Sequence, residues 1–205
     1  MKKGTFIKLS YTAKTKVNNK IFDKGEINII SGAGYVISGL DESFEKHEIG
    51  DNYSIEIPCE KAFGKRNPNL LKLIPIKEFK KQKINPVPGL VLTINDKQGL
   101  VRSVSGGRVI VDFNNPLAGK DVIYDVKILK EIKEDKEKIK TVIKARLGIP
   151  ETLYAIEKNK VLIKGVKKEF VKELEKILNK DLETYANLKV EVKAEKIEAQ
   201  KKKIK

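Results

Sequence analysis

The chain reads as an α+β protein, and three observations predict it. The first 130 residues contain a series of short stretches with apolar side chains at every second position, the period of half-buried strands. A block of short strands between about 67 and 112 separates the early strands from a late one. After Ile132 the apolar spacing changes to three and four, the period of a helix packed on one face. The organising stretch is RVIVDFNNPLAGKDVIYDVKIL, Arg108 to Leu129. It is strand, polar elbow, strand. Its second strand needs partners that lie far back, before residue 64, so one domain is opened, interrupted and closed here. The expected division is 1–66 with 113–130, an insert over 67–112, and an appended unit over 131–205.

Taken in order, Ile7, Leu9 and Tyr11 alternate with Lys8 and Ser10 and predict a first strand. Asn18-Asn19-Lys20 is a turn signal, and Lys24-Gly25-Glu26 predicts a second turn before a short strand over Glu26–Ser31. Ser31-Gly32-Ala33-Gly34 lacks the spacing of a phosphate loop. Ser38 is placed to cap a short helix that carries Leu40 and Phe44 on one face. Tyr53, Ile55 and Ile57 predict another strand, ended by Pro58. From about Asn67, NPNLLKLIPIKEF gives a short apolar strand and one helical turn. Leu90–Ile94, Gly99–Ser105 and Arg108–Asp112 are three strands, with turns at Asn95–Gly99 and Ser105–Gly107. The last third has the order α-β-β-α-β: a helix through Ile139, Val142, Ile143 and Leu147 to Gly148; a hairpin at Lys158-Asn159; a helix striped by Phe170, Leu174, Ile177, Leu178 and Leu182; and a strand at Leu188–Val192. Lys201–Lys205 reads as a frayed basic end.

Composition narrows the function classes. Of 205 residues, 35% are charged and 40% hydrophobic, and the net charge is +15. From Lys127 onward, 23 basic residues face 14 acidic ones. That excess suits a lysine-rich solvated surface better than a nucleic-acid footprint, since no aromatic RNA-binding strand motif or zinc finger accompanies it. One Cys and one His exclude a disulfide framework and make a zinc or nickel site untenable. No apolar run approaches a membrane span, and no leader pattern follows Met1, so the expectation is a cytoplasmic protein without a membrane partner. Abundant Lys, Glu and Ile resemble thermophile usage. His47 sits among surface charges, and Cys59 beside Pro58 reads as a buried small residue. No nucleophile–base pair is readable.

Four stretches in order carry a family resemblance: YT with IFD, VISGLDESFE, EKAFGKRNP, and DFNNPLAGKDVIYDVKI. Together they resemble the FKBP-type peptidyl-prolyl cis–trans isomerases, in the SlyD-like long archaeal and bacterial branch, over about residues 4–130. The resemblance implies a twisted antiparallel sheet around one short helix, with a chaperone domain inserted in the flap. It implies a prolyl pocket lined by Tyr11, Phe22, Asp23, Val36, Ile37, Leu40, Phe63, Leu117 and Tyr124, with Leu40 as floor, the Ile37 N–H holding a substrate carbonyl, and Tyr11 and Asp23 as polar rim. No cofactor is implied. The implied partners are unfolded or proline-containing polypeptides; Leu70, Leu71, Leu73, Ile74, Ile76, Leu90 and Leu92 of the insert could catch them as an apolar patch or could equally form the insert's own core, and some must. Residues 131–205 carry no nameable motif, and the expectations for them are pairing with a second copy of the chain or extra client contact. The chain departs from the family pattern where Phe63 replaces Tyr, Asn115 His, Ser38 Pro and Cys59 Pro, and no His or Cys follows Cys59 to form a metal-binding tail. A binding-only chaperone with a weak pocket is the alternative, and a basic nucleic-acid binder a more remote one.

Overall fold

The computed structural model describes residues 1–195; the basic stretch Lys201–Lys205 lies outside them. The described residues form a mixed α/β structure of three sheets. The first sheet contains β1 (Phe6–Thr15), β2 (Ile21–Ile30), β3 (Asn52–Ile57) and β8 (Val122–Glu131), in the order β2-β1-β8-β3 and all antiparallel. Helix α1 (Ser38–Ser43) packs Leu40 against this sheet, in a core shared with Ile7, Leu9, Ile29, Phe44, Val126 and Ile128. Gly39 is required there: a Cβ would clash with the Ile57 side chain at the end of β3.

Two local expectations fail for physical reasons. There is no turn at Lys24-Gly25-Glu26; β2 runs through it, with Gly25 opposite Tyr11 and Glu26 opposite Ser10. Residues 23–26 are exposed on the outermost strand, so their polarity reports solvent, not a chain reversal. Ser38 is not the N-cap. Ile37 holds that position, and its carbonyl accepts the Leu40 and Asp41 N–H groups. The Ser38 hydroxyl instead donates to the Lys61 carbonyl at 3.0 Å.

Between β3 and β8 the chain builds the second sheet, β4 (Leu71–Pro75), β5 (Val91–Ile94), β6 (Lys97–Ser105) and β7 (Arg108–Asp112), in the order β4-β7-β6-β5. The β5–β6 turn is only Asn95-Asp96, both in the left-handed region, and Lys97–Gly99 already belong to β6. Helix α2 (Ile76–Lys81) puts Phe79 on one face of the sheet, against Val101, Val109 and Val111.

Residues 131–195 form α3 (Asp135–Leu147), β9 (Tyr154–Glu157), β10 (Lys160–Lys164), α4 (Val171–Ala186) and β11 (Glu191–Glu195). A hairpin joins β9 to β10, and α4 carries the chain over to β11, which is parallel to β10. Gly148 closes α3 in the left-handed conformation. The stripe on α4 is narrower than its sequence suggests. Leu178 and Leu182 are buried, but Ile177 is 37% and Phe170 48% exposed. Phe170 precedes the helix in a 3-10 turn, and Ile177 sits one position off the packed face.

The chain leaves the first sheet at Arg66-Asn67 and returns at Asp112–Asn114, and polar contacts tie these two crossings. The Asn67 N–H donates to Asn114 Oδ1 at 2.8 Å, and Asn114 Nδ2 donates to the Asn67 carbonyl at 3.1 Å. Asp112 is buried and accepts from Arg66, from Arg102 Nε and Nη2 at 3.0 and 2.9 Å, and from both nitrogens of Asn114. Burial alone would raise its pKa, but the Asn114 and arginine donors outweigh that and hold the carboxyl well below the ordinary aspartate range. A depressed folded-state pKa adds stability that is complete above the unfolded value near pH 4 and is lost as pH falls from there through the lower folded value. Asp112→Asn is therefore expected to cost about 3 kcal/mol at pH 7, with the gap from wild type narrowing below pH 4. Urea unfolding of both proteins across pH checks this; a gap independent of pH contradicts it.

Candidate functional site

Between the first sheet and α1 lies a cavity of about 370 Å³. From β1 come Leu9 and Tyr11, from β2 Phe22, Asp23 and Ile27, and from β8 Tyr124. The segment entering α1 adds Val36 and Ile37, and α1 adds Leu40. Phe63 and Leu117 come from the loops after β3 and before β8. All nine residues of the set Tyr11, Phe22, Asp23, Val36, Ile37, Leu40, Phe63, Leu117 and Tyr124 thus border one hollow. Leu9 and Ile27 border it too. They are register partners across β1 and β2 and share a face with Tyr11 and Asp23. The presumed turn at 24–26 hid Ile27, because breaking β2 loses its parity; alternation along β1 points to Leu9.

The walls are aromatic. Tyr11 and Tyr124 stack with centroids 6.0 Å apart, and Phe22 meets Phe63 and Tyr124 edge-on at 5.7 and 6.3 Å. Tyr124 has room because it stands opposite the small Ala13 on β1. Leu40, 2% exposed, closes the bottom.

Polar groups are few. The Tyr11 hydroxyl donates to Asp23 Oδ2 at 2.8 Å. Burial, then the Asp23 carboxylate, raises the Tyr11 pKa. Tyr124 is pushed up to about 12 by burial, with Asp23 and Tyr11 adding to it. Both phenols are therefore neutral donors at pH 7. Among the described residues the Tyr124 hydroxyl and the Ile37 N–H have no hydrogen-bond partner; Tyr124 is 7% exposed as a whole residue, and its hydroxyl is not among the buried atoms. No Ser, Thr, Cys, His or Lys lines the hollow. Cys59 is half-buried instead of buried; its Sγ donates to Glu60 at 3.4 Å, and burial and that carboxylate raise its pKa, so it stays a thiol. His47 stacks on Tyr53 outside the cavity. The described residues contain no group of three His, Cys, Asp or Glu placed to hold a metal ion, and no helix among them is long and apolar enough to cross a membrane.

Three residues that depart from the motif pattern form contacts of their own. Asn115 Oδ1 accepts the Leu117 N–H at 2.8 Å and so shapes the turn that presents Leu117. The Ser38 hydroxyl ties α1 to the loop that carries Phe63. The Cys59 N–H donates to Asp121 Oδ1 at 2.9 Å, a bond that proline has no hydrogen to make.

The insert residues divide by face. Ile74, Ile76, Leu90 and Leu92 are half-buried and pack on the core around Phe79. Leu71 and Leu73 are 42% and 55% exposed, as are Val91 and Ile110, and Leu70 lies just before β4. Leu73 and Ile110 are cross-strand partners on the face that α2 leaves uncovered.

Leu40→Ala would hollow the cavity floor. It is expected to cost about 3 kcal/mol of stability, read as a lower urea midpoint with the slope unchanged; a loss under 1 kcal/mol would mean Leu40 is not packed as described.

A family model described as FKBP26, IF domain, matches residues 72–117. The probable FKBP-type 16 kDa peptidyl-prolyl cis-trans isomerase of Pseudomonas fluorescens is 33% identical over 113 residues, covering 53% of this chain and 74% of that protein. The short-type peptidyl-prolyl cis-trans isomerase of Methanocaldococcus jannaschii is 27% identical over 146 residues, 62% of this chain and 92% of that one. SlyD, the FKBP-type isomerase of Helicobacter pylori, is 26% identical over 136 residues, 62% of this chain and 74% of that one. With a third of its aligned residues shared across most of one such enzyme, and the motifs of that family bordering one aromatic hollow, the chain belongs to the FKBP-type peptidyl-prolyl cis–trans isomerases.

Proposed function

We propose that this isomerase accelerates X–Pro rotation in folding polypeptides at the aromatic hollow, and that the uncovered face of the second sheet holds unfolded segments beside it. The observation that carries the first part is the character of the hollow: four aromatic rings, unpaired donors at Tyr124 and Ile37, and no nucleophile. Rotation about a peptide bond crosses about 18–20 kcal/mol because the planar amide is resonance-stabilised and charge-separated. Apolar walls solvate that planar form poorly and the twisted form with less loss, which is differential binding without acid–base chemistry. The Ile37 N–H and the Tyr124 hydroxyl are placed to fix substrate carbonyls. Tyr124 thereby supplies within the hollow the hydroxyl that Phe63 lacks.

For the second part, Leu70, Leu71, Leu73, Val91 and Ile110 offer apolar surface of the kind that captures unfolded chains. Tethering such a surface next to the hollow raises the local proline concentration to roughly millimolar. Self-association through residues 131–205 belongs to the same reading, with Phe170 and Ile177 exposed on and before α4; a monomer in sedimentation at micromolar concentration removes it.

A protease-free, proline-limited refolding assay tests the proposal. Full-length protein is expected to accelerate refolding, and Tyr124→Phe to lower kcat/KM by about 2- to 10-fold, the worth of one hydrogen bond. Removing residues 71–111 is expected to spare short-peptide turnover while lowering protein refolding further. Client binding without any acceleration would leave the binding-only chaperone.

A further inference from the structure

Residues 131–195 lie outside the hollow, yet their core does not close on itself. Phe6 of β1 and Ile30 of β2 are buried within it. Tyr35 packs both on this core and on the one beneath the hollow. Its hydroxyl donates to Asp181 Oδ2 on α4 at 2.7 Å. Arg146, in the last turn of α3, donates Nε to the same oxygen at 2.6 Å, and its guanidinium lies 4.6 Å over the Tyr35 ring. Arg146 also reaches the Ala33 carbonyl at 3.4 Å. Asp181 is buried, and this pair is its partner set. From the other side, Asp41 of α1 accepts the Gly32 and Gly34 N–H groups at 2.8 and 2.9 Å. Val36 and Ile37 follow Tyr35 directly and line the hollow.

We propose that Arg146, Asp181 and Tyr35 are positioning residues for the prolyl site: α3 and α4 clasp the Tyr35 ring and thereby set Val36 and the Ile37 N–H. The C-terminal third is then a working part of the isomerase and not a tethered appendage. On the C-terminal side this loop is held by the Tyr35 ring and hydroxyl, by Ala33 packing and by the Arg146 bond to the Ala33 carbonyl; Tyr35 is the nearest of these anchors to Ile37, two residues away, so slack there passes to Ile37. A carbonyl-holding donor displaced by a fraction of an ångström binds substrate more weakly, which appears mainly in KM. The inference rests on the isomerase reading.

The test uses the full chain with Tyr35→Phe and Arg146→Met, and Lys140→Met as a control. Lys140 pairs with Glu137 and Glu151, away from Tyr35. Urea unfolding establishes that each variant folds cooperatively. NMR order parameters at Val36 and Ile37 and the kinetics on a proline tetrapeptide are then read. Tyr35→Phe and Arg146→Met are expected to lower the order parameters from the rigid range near ~0.85 and to raise KM about three- to tenfold with kcat within about twofold, while Lys140→Met leaves all three unchanged. Either readout remaining at its wild-type value in the clasp variants, or moving equally in Lys140→Met, overturns the proposal. If Arg146→Met does not fold, Tyr35→Phe decides alone, since it removes one oxygen atom. If the wild type shows no isomerase activity, the functional reading fails, and the order parameters still decide the clasp.

Discussion

Strand β8 is hydrogen-bonded along both edges, to β1 on one side and β3 on the other, and the rest of the structure depends on that double pairing. Tyr124 stands opposite Ala13 and Ile55, residues that precede it by more than half the length of the N-terminal part. Such pairings bring loop-closure cost before they bring contact energy. They also build the site, because β8 delivers Tyr124 and the loop before it delivers Leu117. Without β8 docked, Tyr11 and Phe22 would face water on an open ribbon.

The polar contacts around the hollow form a second layer of constraint. Asn115 shapes the Leu117 turn, Ser38 links α1 to the Phe63 loop, and the Cys59 N–H holds Asp121 at the start of β8. Each is a residue type the motif pattern does not expect, and each satisfies a group that a proline or a histidine would leave differently bonded. The rim is thus re-tied with other residues around an apolar interior that keeps its character. With Asp23 held by Tyr11 and Tyr124 neutral, the interior carries uncharged donors while its one carboxylate is engaged at the edge.

The second sheet joins the first through two chain crossings, and Asp112 with Arg66, Arg102 and Asn114 fixes their geometry in a buried, charge-assisted cluster. One face of that sheet is spent on its own small core around Phe79. The other carries Leu71, Leu73 and Ile110 to solvent. A sheet with one helix and only four fully buried apolar residues has little more to bury, which is why the uncovered face stays apolar and open.

Much of this was legible in the sequence. Alternating residues mark the strands from Phe6 onward, and the switch to helical spacing after Ile132 marks the final α-β-β-α-β order, because side-chain period follows directly from backbone geometry. The motifs around Tyr11, Ile37, Phe63 and Tyr124 contain residues that border the hollow. What periodicity does not encode is which surface an element meets. Polar residues 24–26 resemble a turn until β1 is seen alongside them, and Ile177 resembles core until the rotation of α4 is known. Seven apolar insert residues look alike until the sheet assigns each a face. Sequence alone determined the order and type of most strands and helices, since side-chain period depends on neighbours along the chain, though not every boundary, as β2 through residues 24–26 shows. The tertiary structure alone decided that Arg146 and Asp181 reach back to Tyr35, because a contact across more than a hundred residues leaves no local period to read.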